Sequence, residues 1–206
     1  EVKYVVANDD VASAPKAVKE QRHGIAGGFF MWKVGGARAA KGGNLDAVIA
    51  SAQNVVSRTK SICVGLEPCV IPALGHSNFK IEDGMMEFGV GHHGEAGTKV
   101  EELKSASEIA QEMAETILND FDFEEGKEVA VMLSGLGATP VMELYVLYDE
   151  VEKVLAKAGH KVWKTYIGNY VTSLDMNGAS LTIVDLDDEI KELLSEPAAP
   201  IGMKNY

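Results

Sequence analysis

Two adjacent histidines and a glutamate lie within a run of four glycines at positions 86–97, MEFGVGHHGEAG. Glycine leaves the backbone free to turn and puts no side chain in the way, so His92 or His93 can meet a small ligand directly. A neutral imidazole is a nucleophile, and near pH 7 a useful fraction of it is unprotonated. The plainer alternative is a turn in which one ring bonds the backbone and the other is solvated. Metal binding is a third reading. It is poorly served, because neighbouring histidines seldom point the same way and Glu95 alone does not complete a site. A second glycine turn, SGLGATPVMELY (134–145), falls between a strand and a helix and offers either an anion-facing helix start or a tight turn without a ligand. It lacks the Gly-Lys-Ser/Thr ending of a phosphate-binding loop. IGNYVTSLDMNG (167–178) lines a cleft or forms a hairpin loop. DLDDEI (185–190) reads as an N-capped acidic first turn of a helix.

Elements must hold these turns in place. EVKYVVANDD opens as a strand in which Val2, Tyr4 and Val6 alternate. A lone strand needs neighbours, so the chain is expected to be a piece of a longer protein that lacks the start of its first domain. APKAVKEQRHGIAGGFFMWKVGGARAAKGG reads as helix, and Gly27, Gly28, Gly35 and Gly36 suggest close packing against another element. NLDAVIASAQNVVSRTKS is a second helix with Asn44 as its cap. Ile62, Val64 and Leu66 mark a strand closed by Pro68 and Pro72. MMEFGVG leads as a strand into the histidines, and 101–121 is an amphipathic helix. KEVAVMLSG is a strand, Pro140 opens a periodic helix, and Gly159 ends it. Two more strands joined by a turn, KVWKTYIG and GASLTIVD, precede a last short helix. This alternation predicts an α/β fold: a mixed β-sheet with flanking helices, with residues 1–61 a remnant of a first α/β domain and residues 62–206 a second one carrying the histidine loop.

Composition narrows the function. Lysine and arginine number 19 against 31 aspartates and glutamates, a net charge of −12 that argues against a nucleic-acid partner. No stretch approaches the ~20 apolar residues of a membrane span. Cys63 and Cys69, the two cysteines, are spaced too widely for a CxxC pair and read as buried thiols of a reducing cytoplasm.

Taken in order, NDDVA (8–12), GLEPCVIPALGHSNF (65–79), EFGVGHHGEAG (87–97), SGLGATPVMELY (134–145) and GNYVTSLDMNGASLTIVDLDDE (168–189) resemble the dihydroxyacetone kinase family, specifically its dihydroxyacetone-binding K subunit. The resemblance implies that the histidine of a Gly-x-His-Gly-Glu loop, here His93, adds to the ketone carbon as a covalent hemiaminal, with His92, Gly94 and Glu95 beside the substrate. His92 stands where an aliphatic residue is common, a departure that would tune the pocket or shift the preferred substrate toward a longer ketose such as erythrulose. It implies a cytoplasmic homodimer in glycerol metabolism that passes its ketose to a kinase reaction. The ATP/ADP and Mg2+ sit on an L-type partner subunit or domain, recharged by a phosphotransferase relay or by ATP; no cofactor or metal is expected in this chain. The family's acid/base histidine and aspartate belong upstream of residue 1. A catalytically inactive coactivator that senses the ketose is the rival reading, and His93 is common to both. The chemistry is sound in itself: only a carbonyl compound can be held this way, so glycerol is refused by reaction type.

Overall fold

The computed structural model describes residues 1–77, 79–122, 126–200 and 202–203. Its centre is a six-stranded sheet. The strands are β1 (Thr59–Glu67), β2 (Met85–Phe88), β3 (Lys99–Glu102), β4 (Glu128–Gly135), β5 (Lys161–Gly168) and β6 (Asn177–Asp185). They lie in the order β3-β2-β1-β6-β4-β5. All neighbours are antiparallel except β4 and β5, so the sheet is mixed, as expected.

Alternation in β4 shows how the layers form. Val129, Val131 and Leu133 face α3 (Ala106–Asp120) and α4 (Val141–Lys157), while Ala130 and Met132 face the opposite layer. That layer is α1 (Gly28–Ala40), α2 (Leu45–Ser57) and α5 (Asp188–Ser195). β1, β4 and β6 are buried along almost their whole length, and besides their apolar residues they carry the buried polar side chains Thr59, Lys60, Ser61, Ser134, Ser180 and Thr182. Phe30, Met113, Ile117, Met132 and Leu155 are fully buried, each contributing roughly 1.5–3 kcal/mol of transfer free energy.

Local signals set the helix ends. Asn44 Oδ1 accepts from the Ala47 amide, as its capping role predicts, and Gly159 follows α4 with φ +81°. Asp187 caps α5 through the Ile190 amide, which accounts for the acidic run there. α1 packs on α2 at Gly35, where a Cβ would meet that of Ala52 at 3.5 Å, an ordinary contact.

Several expectations change. Residues 1–9 form no strand, and Val2, Tyr4 and Val6 are exposed. The first secondary structure is instead a 3-10 turn at Lys16–Gln21. The division expected at 61/62 falls inside β1, and α1 and α2, which precede it, cover a face of the sheet that later strands complete. The helix expected from 101 begins at Ala106, because Ser105 and Glu108 cap each other reciprocally, and 99–102 is the edge strand β3. β5 and β6 are not a hairpin: β4 lies between them, since β6 is buried on both faces and takes β1 and β4 as neighbours.

Candidate functional site

Three loops meet beyond the end of β4: 89–98, 135–140 and 169–176. β2 delivers the first. Gly89, at φ +80°, donates its amide to Cys63 O at 2.7 Å, and Thr98 N returns to Phe88 O at 2.8 Å. Glu87 closes the base by accepting from Gly97 N at 2.6 Å. Within this ring Gly91 N bonds Glu95 O at 2.9 Å and Gly94 N bonds Gly91 O at 3.2 Å. Gly91 has to lack a side chain, because a Cβ would collide with the Glu95 carboxylate.

Glu95 governs the geometry. One carboxylate oxygen accepts from the His93 amide at 2.9 Å and the other lies 3.0 Å from His93 Nδ1. A carboxylate can only accept, so Nδ1 carries a proton and, in the neutral ring, Nε2 carries the lone pair. The His93 side chain is 86% exposed, which leaves that lone pair facing outward. Partial burial works to raise the Glu95 pKa, but the hydrogen bonds from amides and from the His93 ring outweigh it and hold the carboxylate below its ordinary range.

His92 turns the other way. Its Nε2 lies 4.0 Å from Cys63 Sγ, beneath the loop, and burial foremost lowers its pKa and keeps the ring neutral. Its carbonyl accepts from Ser173 Oγ. Ser173, itself buried, donates its amide to Leu136 O at 2.7 Å, so one residue ties all three loops together. Ser134 Oγ adds to this by accepting from the amides of Tyr170 and Val171, both at 3.0 Å. Thr139 Oγ1 is engaged with Asn177 and Gly178, so the SGLGATP turn acts here as a clamp on the start of β6. Cys63 and Cys69 are buried free thiols beside Val90, Leu136 and Met176, and burial raises the Cys63 pKa.

The NDDVA segment supports this floor from one side. Asp9 accepts from Ile25 N at 3.1 Å and Gly27 N at 2.7 Å, and Asp10 bridges in parallel to Ser61 of β1. Burial raises both carboxyls, Asp10 to about 6. The structure therefore brings His93, Gly94 and Glu95 together at an exposed turn and places His92 below it. Sequence reasoning passed over Ser134 and Ser173. The one signal was that polar residues cluster in 167–178, because a serine's partner is set by the tertiary fold.

Residues 1–201 match the Dak1 domain. The chain belongs to the Dak1 family. The dihydroxyacetone-binding subunit DhaK of a PTS-dependent dihydroxyacetone kinase from Listeria innocua is 38% identical over 188 residues, 91% of this chain and 57% of that protein. A D-erythrulose kinase of Mycolicibacterium smegmatis is 36% identical over 198 residues, 96% of this Dak1 chain and 34% of the enzyme. Among solved structures, a dihydroxyacetone kinase operon co-activator, DhaQ, superposes with TM-score 0.86 at 30% identity, covering 94% of this chain and 60% of the other. This Dak1 chain thus spans somewhat over half the length of its DhaK relative. Among the described residues no helix is long and apolar enough to cross a membrane.

Proposed function

We propose that this Dak1 chain is the ketose-capturing part of a dihydroxyacetone kinase, with His93 Nε2 as the nucleophile. The observation that carries the reading is the double contact of Glu95 with the His93 amide and Nδ1, which presents the Nε2 lone pair to solvent. Nε2 adds to the central carbon of dihydroxyacetone, and the carbonyl π electrons move to oxygen, which takes up a proton. The new C–N bond makes the ring cationic. Nδ1–H then gives its proton to Glu95 or to water, and the hemiaminal is neutral. A ligand with so few atoms gains little from noncovalent contacts, so a covalent bond is an effective way to hold it.

Capture fixes the terminal hydroxyls for phosphoryl transfer, where orientation supplies much of the rate. The donor side, ATP/ADP with Mg2+ or a phosphotransferase relay, belongs in this proposal to an L-type partner subunit or domain. The acid/base groups and the outer wall over His93 come from sequence that the longer relatives carry. The whole works as a homodimer in the cytoplasm. Gly94 lets the backbone lie close to the ligand. His92, turned toward Cys63, acts on substrate choice through the loop it supports.

A second reading has its own support in the co-activator DhaQ, which superposes with TM-score 0.86. There the same capture serves sensing without turnover. A crystal soaked with dihydroxyacetone tests the shared step: continuous density from His93 Nε2 to the central carbon is expected, and it is lost in H93A. A well-occupied ligand separated from Nε2 by a van der Waals gap would refute capture. Turnover with an L-type subunit and donor separates the kinase from the sensor.

A further inference from the structure

A polar cleft of about 330 Å³ opens where α2 and α3 end, lined by Lys16, Lys19, Arg58 and Lys60 among carboxylates. It does not involve the histidine loop. Lys60 and Phe121 lie on the α3 face of β1, whereas His92 rests on Cys63, which alternates to the other face. Most of its charges are already matched. Arg22 binds Asp120 through two 2.7 Å bonds, Lys16 binds Asp122 at 2.8 Å, and Arg58 binds Asp185 at 2.6 Å. Two cations remain. Lys19 is exposed, and neither it nor Lys60 has a side-chain hydrogen bond or ion pair among the described residues.

Lys60 is the unusual one. It is 7% exposed, and its Nζ lies over the Phe121 ring, 5.8 Å from the centroid, with the charges of Asp120, Arg22, Lys19 and Asp9 acting on it from farther off. Cations at the surface where two helices end are ordinary, since they complement the helix carbonyls. A lysine more than nine-tenths buried without a hydrogen bond is not, because a buried ammonium needs partners for its donors. Burial pulls its pKa down, against the more distant Asp120, and Lys19 pulls the same way.

We infer that this cleft binds a phosphate dianion, free or as a phosphate monoester, held between Lys60 at the floor and Lys19 at the mouth. Lys60 and Lys19, neither of them in an ion pair among the described residues, offer two positive charges to two negative ones, and the volume leaves room for a small organic group beside the phosphate. This site goes beyond the ketose-binding reading and stands whether or not His93 captures a ketose.

The test is a backbone NMR titration of the whole chain with inorganic phosphate, glycerol 3-phosphate and, as a monoanion, acetate, at constant ionic strength. Saturable shifts at Ser57–Lys60 and Phe121 are expected with the two phosphates and not with acetate. Because a hydrogen bond to a charged group is lost, K60M weakens binding by roughly tenfold or more, while K60R retains it. K19A, altering an exposed side chain that leaves the fold intact, weakens binding too. K153A, at a lysine paired with Asp149 and Glu150, leaves it unchanged. Tighter binding of glycerol 3-phosphate assigns the site to an organic phosphate, and tighter binding of inorganic phosphate to the free ion. The inference fails if the shifts are absent, if acetate binds as well as phosphate, or if K19A binds like the wild type.

Discussion

At the scale of single residues, the distinction between His92 and His93 is the central result. Adjacent in sequence and identical in kind, they differ because the turn sends one ring toward Cys63 and leaves the other in solvent beside Glu95. Sequence alone named the pair and the glutamate, and the family resemblance chose His93. Which nitrogen is free depends on the carboxylate, which only coordinates reveal. E95Q tests this. A glutamine can still accept from the His93 amide but no longer offers both oxygens, so the bias toward the Nδ1–H tautomer weakens. Long-range proton–nitrogen NMR should show the two His93 tautomers moving toward their free-imidazole ratio. Dihydroxyacetone capture should fall roughly threefold to tenfold, because one charge-assisted bond is removed at an exposed position. An unchanged tautomer ratio would show that Glu95 does not orient the ring. Asp10 gives a second test. Burial raises its pKa from 3.8 to about 6, so the folded state favours the protonated form. Its favourable contribution is complete below about 4 and is lost as pH rises through about 6. D10N keeps an acceptor for the Ala12 amide. The variant should therefore gain stability relative to wild type as pH rises from 4 to 7, by about 1–3 kcal/mol. Urea unfolding at the two ends of that range measures it, and a constant difference would contradict the assignment.

At the scale of elements, strands and long helices were legible because their signals are local: alternation in β4, the Asn44 cap, Pro140 before α4 and Gly159 after it. Pairing was not. KVWKTYIG and GASLTIVD sit next to each other in sequence with a turn-rich link, yet β4 separates them. What places β6 between β1 and β4 is burial of both its faces, a property of the assembled sheet. The small edge strand β3 was hidden inside a charged stretch that continues smoothly into α3. Ion pairs of Lys99 and Lys104 with Glu112 bind that strand to the helix behind it. The link over β4 matters most for the site, because Ser173 joins it to the carbonyl of His92. S173A should leave the sheet intact but free the histidine loop. Hydrogen exchange at the Gly91 and Gly94 amides should quicken by about tenfold, with no comparable change in β4. Affinity for dihydroxyacetone should drop while the pH profile of capture keeps its midpoint, and S173T should restore part of it. Equal exchange in variant and wild type would show that the serine does not restrain the loop.

At the scale of the whole molecule, the layers separate three tasks. One face of the sheet, under α3 and α4, carries the larger apolar core, and the other is closed by α1, α2 and α5. The loops gathered past β4 carry the candidate chemistry. The layering followed from the sequence, since alternating strands and amphipathic helices admit few other arrangements. The expected opening strand did not form: residues 1–9 join no strand of the sheet, and only the isolated bridge of Asp10 with Ser61 follows them. The two rims of the sheet carry a further consequence. One rim is β3, with the sequence Lys-Val-Glu-Glu, and the other is β5, which presents the exposed Lys161. Each rim has backbone groups open to an added strand, and each sets charged side chains where a stranger would have to lie. Crowded molecules of this protein should therefore resist lateral stacking into fibrils, because an added strand would have to strip water from charges that the borders already hold in ion pairs.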